Sequence, residues 1–118
     1  MEIAGLVADL LRDGISVRVR VGGTSMTPAI RSGDVITLGP LGPRGPVRGE
    51  VVVFVLAGER PRLVAHRVVG VYRTASGEDR VIVRGDNISL ADQPLHPSAI
   101  VGRVTRVERF WLPLALAA

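Results

Sequence analysis

Residues 50–73 read EVVVFVLAGERPRLVAHRVVGVYR. Two runs dominated by β-branched residues flank Ala57-Gly58-Glu59-Arg60-Pro61, a stretch of turn formers, and that pattern predicts a hairpin of two long strands. Moving outward, Val alternates with Ser and Arg from Ile15 to Val21, the period of a half-buried strand. DVITL (34–38), DRVIVRG (79–85) and IVGRVTRVERF (100–110) add further strands, and Gly102 is placed to mark a bulge. Only the start breaks the pattern. Ile3, Leu6, Val7, Leu10 and Leu11 recur at helical spacing and Gly14 ends the run, so residues 1–14 are expected to form a short amphipathic helix. GPLGPRGPVRG (39–49) cannot sit inside a sheet and DNISLADQPLHPSA (86–99) lacks periodicity, so both are expected as loops. The expectation is one domain spanning 1–118, mainly β, built of antiparallel β-sheets with one N-terminal helix and an apolar tail at 110–118.

The composition narrows the chemistry. Hydrophobic residues make up 47% of the 118 residues but aromatics only 3%, which implies a core of Val, Leu, Ile and Ala. The absence of Cys excludes disulfides, thiolate metal sites and a Cys nucleophile. The net charge is +4 and every basic residue is Arg, so lysine bases, Schiff bases and lysine-dependent phosphate loops are excluded. Arginines alternating with apolar residues read as solvated strand faces. With Phe54, Tyr72, Phe110 and Trp111 the whole aromatic inventory, a base-stacking nucleic-acid platform is disfavoured. No apolar run approaches the roughly 20 residues of a membrane span, and Glu2, Asp9 and Asp13 are foreign to a secretory signal. A cytoplasmic location without a transmembrane anchor is therefore expected, with FWLPLALAA (110–118) as the segment able to touch a membrane surface or a groove. Two histidines without a close ligand motif predict no metal site, and no cofactor is expected.

Directly after the first predicted strand comes GTSMTPAIRSGD (23–34). A hydroxyl is a weak nucleophile until a base takes its proton, and here the possible bases are His66, His96 and the carboxylates. Each candidate also has a plain structural reading. Ser25 suits a turn, His66 a satisfied residue in an apolar strand, His96 a surface loop, Asp86 a Gly-Asp-Asn turn and Asp92 a capping position. Met26 suits packing, Pro28 fixes a turn, and Gly33 and Asp34 read as structural.

Taken in order, GTSMTPAIRSGDVI (23–36), GEVVVF (49–54), AHRVVGV (65–71) and RGDNISLADQPLHPSAIVGRV (84–104) resemble the successive boxes of the type I signal peptidases. The resemblance covers roughly Val21 to Val107. It implies antiparallel sheets enclosing a groove for an extended peptide, with small residues read in an A-x-A pattern. It further implies Ser25 as nucleophile and His66 as base, as in the archaeal and endoplasmic-reticulum branch, where the bacterial branch has Lys. Asp92 would orient His66, Asp86 would support the site, Met26 would help wall the pocket, and Pro28 would stand at that pocket beside it. Part of the family places an oxyanion-binding hydroxyl two residues before the nucleophile, where this chain has Gly23. The Ser25 amide, with Thr24 or another donor, would then carry that duty. Members are usually membrane-anchored, which this chain does not match. The implied partner is a precursor peptide or protein with an A-x-A-like site. Ala115 and Ala117 form such a pattern in the tail, which suggests a self contact. Two rivals remain: an autoprotease resembling the SOS repressors, disfavoured because those use a Ser-Lys pair, and a non-catalytic peptide- or nucleic-acid-binding module.

Overall fold

The computed structural model describes residues 2–109. Helix α1 (Ile3–Arg12) is followed by strands β1 (Val17–Arg20), β2 (Val35–Gly39), β3 (Val51–Leu56), β4 (Arg62–Arg73) and β5 (Asp79–Arg84). A 3-10 turn at Pro97–Ala99 leads into β6 (Ile100–Glu108). The strands form one six-stranded sheet in the order β1-β2-β6-β3-β4-β5, and every neighbouring pair is antiparallel. The fold is mainly β with one short helix, and a single curved sheet does the work for which several had been expected.

Helix α1 starts where the Glu2 carboxylate accepts the Gly5 amide at 2.8 Å. It ends at Gly14, whose φ of +83° suits a residue without Cβ and lets Gly14 and Ile15 donate back to the Leu11 and Leu10 carbonyls. Its apolar face buries Ala4, Val7, Ala8 and Leu11. That face packs on one side of the sheet, with Ile36, Leu38, Val53 and Val101. The other side buries Val52, Phe54, Val68, Val81, Val83 and Ile100. Val52 and Val53 thus belong to opposite cores, as strand alternation requires, and the unbroken valine run in β3 reflects burial on both faces.

β6 is bulged twice. Val101 is extra between the pairs Val53↔Gly102 and Phe54↔Ile100, and Thr105 between Thr37↔Arg106 and Leu38↔Val104. Bulges bend a strand and strengthen its twist, so the sheet curls. β4 pairs with β3 through Arg62–Arg67 but with β5 only from Arg67 onward. The outer edge of Arg62–His66 therefore has no strand partner among the described residues. β1, at the far end of the order, is also an edge, and the intervening antiparallel pairs make β1 and β4 run in the same direction. Pro40–Glu50 joins β2 to β3 without helix or strand, and Leu41 from it packs against the second core. Among the described residues no helix is long and apolar enough to cross a membrane. The contacts expected of 110–118, including Ala115 and Ala117, lie outside the described residues.

Candidate active site

Ser25 sits on a loop with fixed ends. Beyond β1 and β2 the pairing continues through Val21 N–H to the Asp34 carbonyl and Gly33 N–H to the Val21 carbonyl, both 2.8 Å. The Asp34 side chain, 3% exposed, accepts the Arg31 amide at 2.8 Å and the Arg109 guanidinium at 3.0 and 2.8 Å. Those bonds, Arg109 foremost, hold its carboxyl below the ordinary carboxylate range. Inside the loop Met26 and Ile30 are buried in the core, so the serine between strand and anchor has little freedom. From the opposite side Asn87 donates its amide to the Ser25 carbonyl at 2.8 Å and its side chain to the Thr24 carbonyl at 3.2 Å.

His66 lies on β4 opposite Val52 and is 5% exposed. The Phe54 ring meets the imidazole edge-on, with centroids 5.9 Å apart and planes at 71°. His66 Nδ1 is hydrogen-bonded to Asp92 Oδ2, and Nε2 is 3.2 Å from Ser25 Oγ. An ionised carboxylate can only accept, which assigns the proton to Nδ1 and turns the Nε2 lone pair toward the Ser25 hydroxyl. Asp92 is itself tethered by its amide, which donates to the Val83 carbonyl at 2.9 Å. Loop and strand thereby bring Ser25, His66 and Asp92, separated by successive steps of 41 and 26 residues in sequence, into one row.

Asp86 stands outside that row. Its carboxylate takes a two-pronged bond from Arg67, Nε at 2.9 Å and Nη2 at 2.8 Å, while Arg67 Nη1 reaches the Gly49 carbonyl at 2.8 Å. Bonding to Arg67 holds the Asp86 carboxyl below its usual value. A carboxyl depressed in the fold adds stability that is complete above its unfolded pKa, about 3.9, and is lost as pH falls through the folded value. Urea titrations at pH 7 and at about pH 3 should therefore show a larger acid loss for the wild type than for Asp86→Asn. The difference should be about 1 kcal/mol, the scale of a partly exposed pair.

Gly85 is required by close approach. A Cβ there would meet the Ser25 carbonyl at 2.7 Å, Ile88 Cδ1 at 3.0 Å and His66 Nε2 at 3.1 Å. Gly85→Ala is expected to push the serine and imidazole apart and cut the rate of any reaction that needs both by about 100-fold. Turnover against a melting curve checks this: comparable activity at unchanged stability would show that the loop yields without disturbing the pair.

Gly23, Thr24, Ser25, Met26, His66 and Asp92 all line one groove of about 990 Å³. Pro28 does not. It is exposed and absent from the groove lining, so its expected place in the pocket is corrected. His96 is exposed and hydrogen-bonded to Ser98 at 2.7 Å, away from the groove lining. Among the described residues no three His, Cys, Asp or Glu side chains converge as metal ligands. Phe54, Arg67, Gly85 and Asn87 were not singled out in the sequence, although RGDN and the Arg after His66 carried the signal. A serine, an imidazole and a carboxylate in one hydrogen-bonded row beside an apolar groove is an arrangement that hydrolases use to activate a hydroxyl.

No family model matches the chain. It is similar to the signal peptidase complex catalytic subunit SEC11C of Homo sapiens, Mus musculus and Canis lupus familiaris, in each case 36% identical over 73 residues. The match takes in 61% of this chain and 37% of each relative. The chain thus spans little more than a third of the length of these relatives. At that distance the likeness is to signal peptidases in general.

Proposed function

We propose that the protein is a serine endopeptidase of the signal-peptidase type, which removes a leader or signal-like segment from a precursor after small residues. The observation that carries this reading is the Ser25–His66–Asp92 row at the groove. Ser25 Oγ attacks the scissile carbonyl as His66 Nε2 takes its proton, and Asp92 stabilises the imidazolium that forms. The imidazolium then protonates the leaving amine. Water, activated by the same nitrogen, hydrolyses the acyl-enzyme. The Ser25 amide has no acceptor among the described residues and is the donor assigned to the oxyanion.

Two edges that have no strand partner among the described residues, Arg62–His66 and the outer side of β1, border the groove, through Leu63, Val64 and Ala65 on one side and Val19 and, just past β1, Val21 on the other. An extended peptide can hydrogen-bond to such edges as an added strand, which gives affinity through the main chain and leaves selectivity to shallow pockets. Mass spectrometry of an Ala-x-Ala peptide library incubated at about pH 8 tests the proposal. The wild type should cut after the small residues and Ser25→Ala should not. Equal cleavage by both proteins would sink it.

A further inference from the structure

We infer that Arg62 reads an acidic side chain of the substrate about four residues from the scissile bond, an inference that rests on the peptidase reading of the groove. Cross-strand partners share a face, and the β3–β4 register is unbroken from Val51↔Arg67 to Leu56↔Arg62. His66, Val64 and Arg62 therefore lie in one line on the same face of β4, all lining the groove. Four residues of strand span roughly 13 Å, so a peptide laid along this edge with its reacting carbonyl at Ser25 brings a residue three to five positions away beneath the guanidinium.

The charges of the groove select the ligand. Its ionisable lining residues are Arg20, Arg62, His66 and Asp92. Asp92 is taken by His66, and Arg20 Nη1 donates to the Gly33 carbonyl at 2.9 Å. Arg62 has neither a hydrogen-bond acceptor nor an ion-pair partner among the described residues, and Glu59 in the preceding turn forms no bridge to it. Its neighbours on that face are apolar, Val64 along the strand and exposed Leu56 across it. Among the described residues, then, the groove holds a cation without a partner above apolar surface and a single carboxylate that is already engaged, which favours an Asp or Glu over a neutral or basic residue at that point.

Binding tests this without requiring turnover. Fluorescein-labelled ten-residue peptides with a central Ala-x-Ala, carrying Asp, Asn or Lys at each other position in turn, are titrated onto Ser25→Ala protein by anisotropy. At one position three to five residues from the small-residue site, Asp should bind about three- to five-fold more tightly than Asn, and Lys more weakly. The Asp:Asn ratio should fall to one when Arg62→Gln is added, and should shrink at about 0.5 M salt. A ratio unchanged by Arg62→Gln, or no Arg62-dependent difference at any position, overturns the inference. An Arg62-dependent ratio together with wild-type protein that cleaves none of these peptides would support the inference while removing the peptidase reading.

Discussion

His66→Ala is expected to lower kcat by about 100,000- to 1,000,000-fold with little change in KM, whereas His96→Ala leaves cleavage within about two-fold of wild type. The size of the first effect follows from the absence of any substitute. The chain has no lysine, and Nε2 of His66, 3.2 Å from Ser25 Oγ, is the one basic atom the structure sets against the hydroxyl. KM is spared because the imidazole gains its interaction as the proton moves, in the transition state, while a peptide in the groove is held by strand edges and apolar walls. Emptying a site that is 5% exposed also leaves a cavity beside Phe54, so His66→Gln, which fills the space without supplying a base at Nε2, separates lost chemistry from lost packing. Both variants should be inactive, and the Gln variant should melt closer to wild type. An active His66→Gln would count against the assignment.

The strands were legible because their sequence signal is local. Alternation marks β1, the valine runs mark β3 and β4, and Gly14 marks the helix end before any contact is known. The curl of the sheet was not, because the two bulges of β6, at Val101 and Thr105, depend on how that strand meets two partners at once, and a third irregularity, at Val69, on how β4 meets β5; Gly102 pointed only to the first. At the site, residue types were readable and pairings were not. Asp86 and Asp92 stand six residues apart in one loop and nothing in their spacing says which reaches the imidazole. The decision comes from Arg67, which claims Asp86 with two hydrogen bonds and leaves Asp92, tethered at the Val83 carbonyl, to face Nδ1. Gly85 was invisible for a similar reason. Its importance is an absence of atoms, because the Ser25 carbonyl and His66 Nε2 lie 2.7 and 3.1 Å from where a Cβ would stand. Pro28 misled in the other direction: it lies inside the serine box in sequence but is exposed and does not line the groove.

The division of labour between the two carboxylates leads to the second large effect. Asp92→Asn is expected to reduce kcat by about 1,000- to 10,000-fold, and to be worse than Asp92→Ala. The amide keeps the size of the carboxyl but can donate a hydrogen to Nδ1. An imidazole that accepts there must carry its proton on Nε2, where it points at Ser25 Oγ and can no longer take the serine proton. Alanine imposes no tautomer. Because the Asp92 side chain is 34% exposed, water can reach Nδ1 in the alanine variant and accept its proton, which preserves a fraction of productive rings. The same exposure places the Asn penalty in a range that begins below the ten-thousand-fold of a fully buried partner. Asp86→Asn weakens the Arg67 clamp without touching the imidazole, so its cost in kcat should stay near ten-fold and appear chiefly as reduced stability. Steady-state kinetics on one peptide for all three variants, each with a melting curve, resolve the order. If Asp86→Asn costs more in kcat than Asp92→Asn, the carboxylate that governs His66 during the reaction is the one paired with Arg67, and the ring must turn toward it when substrate binds.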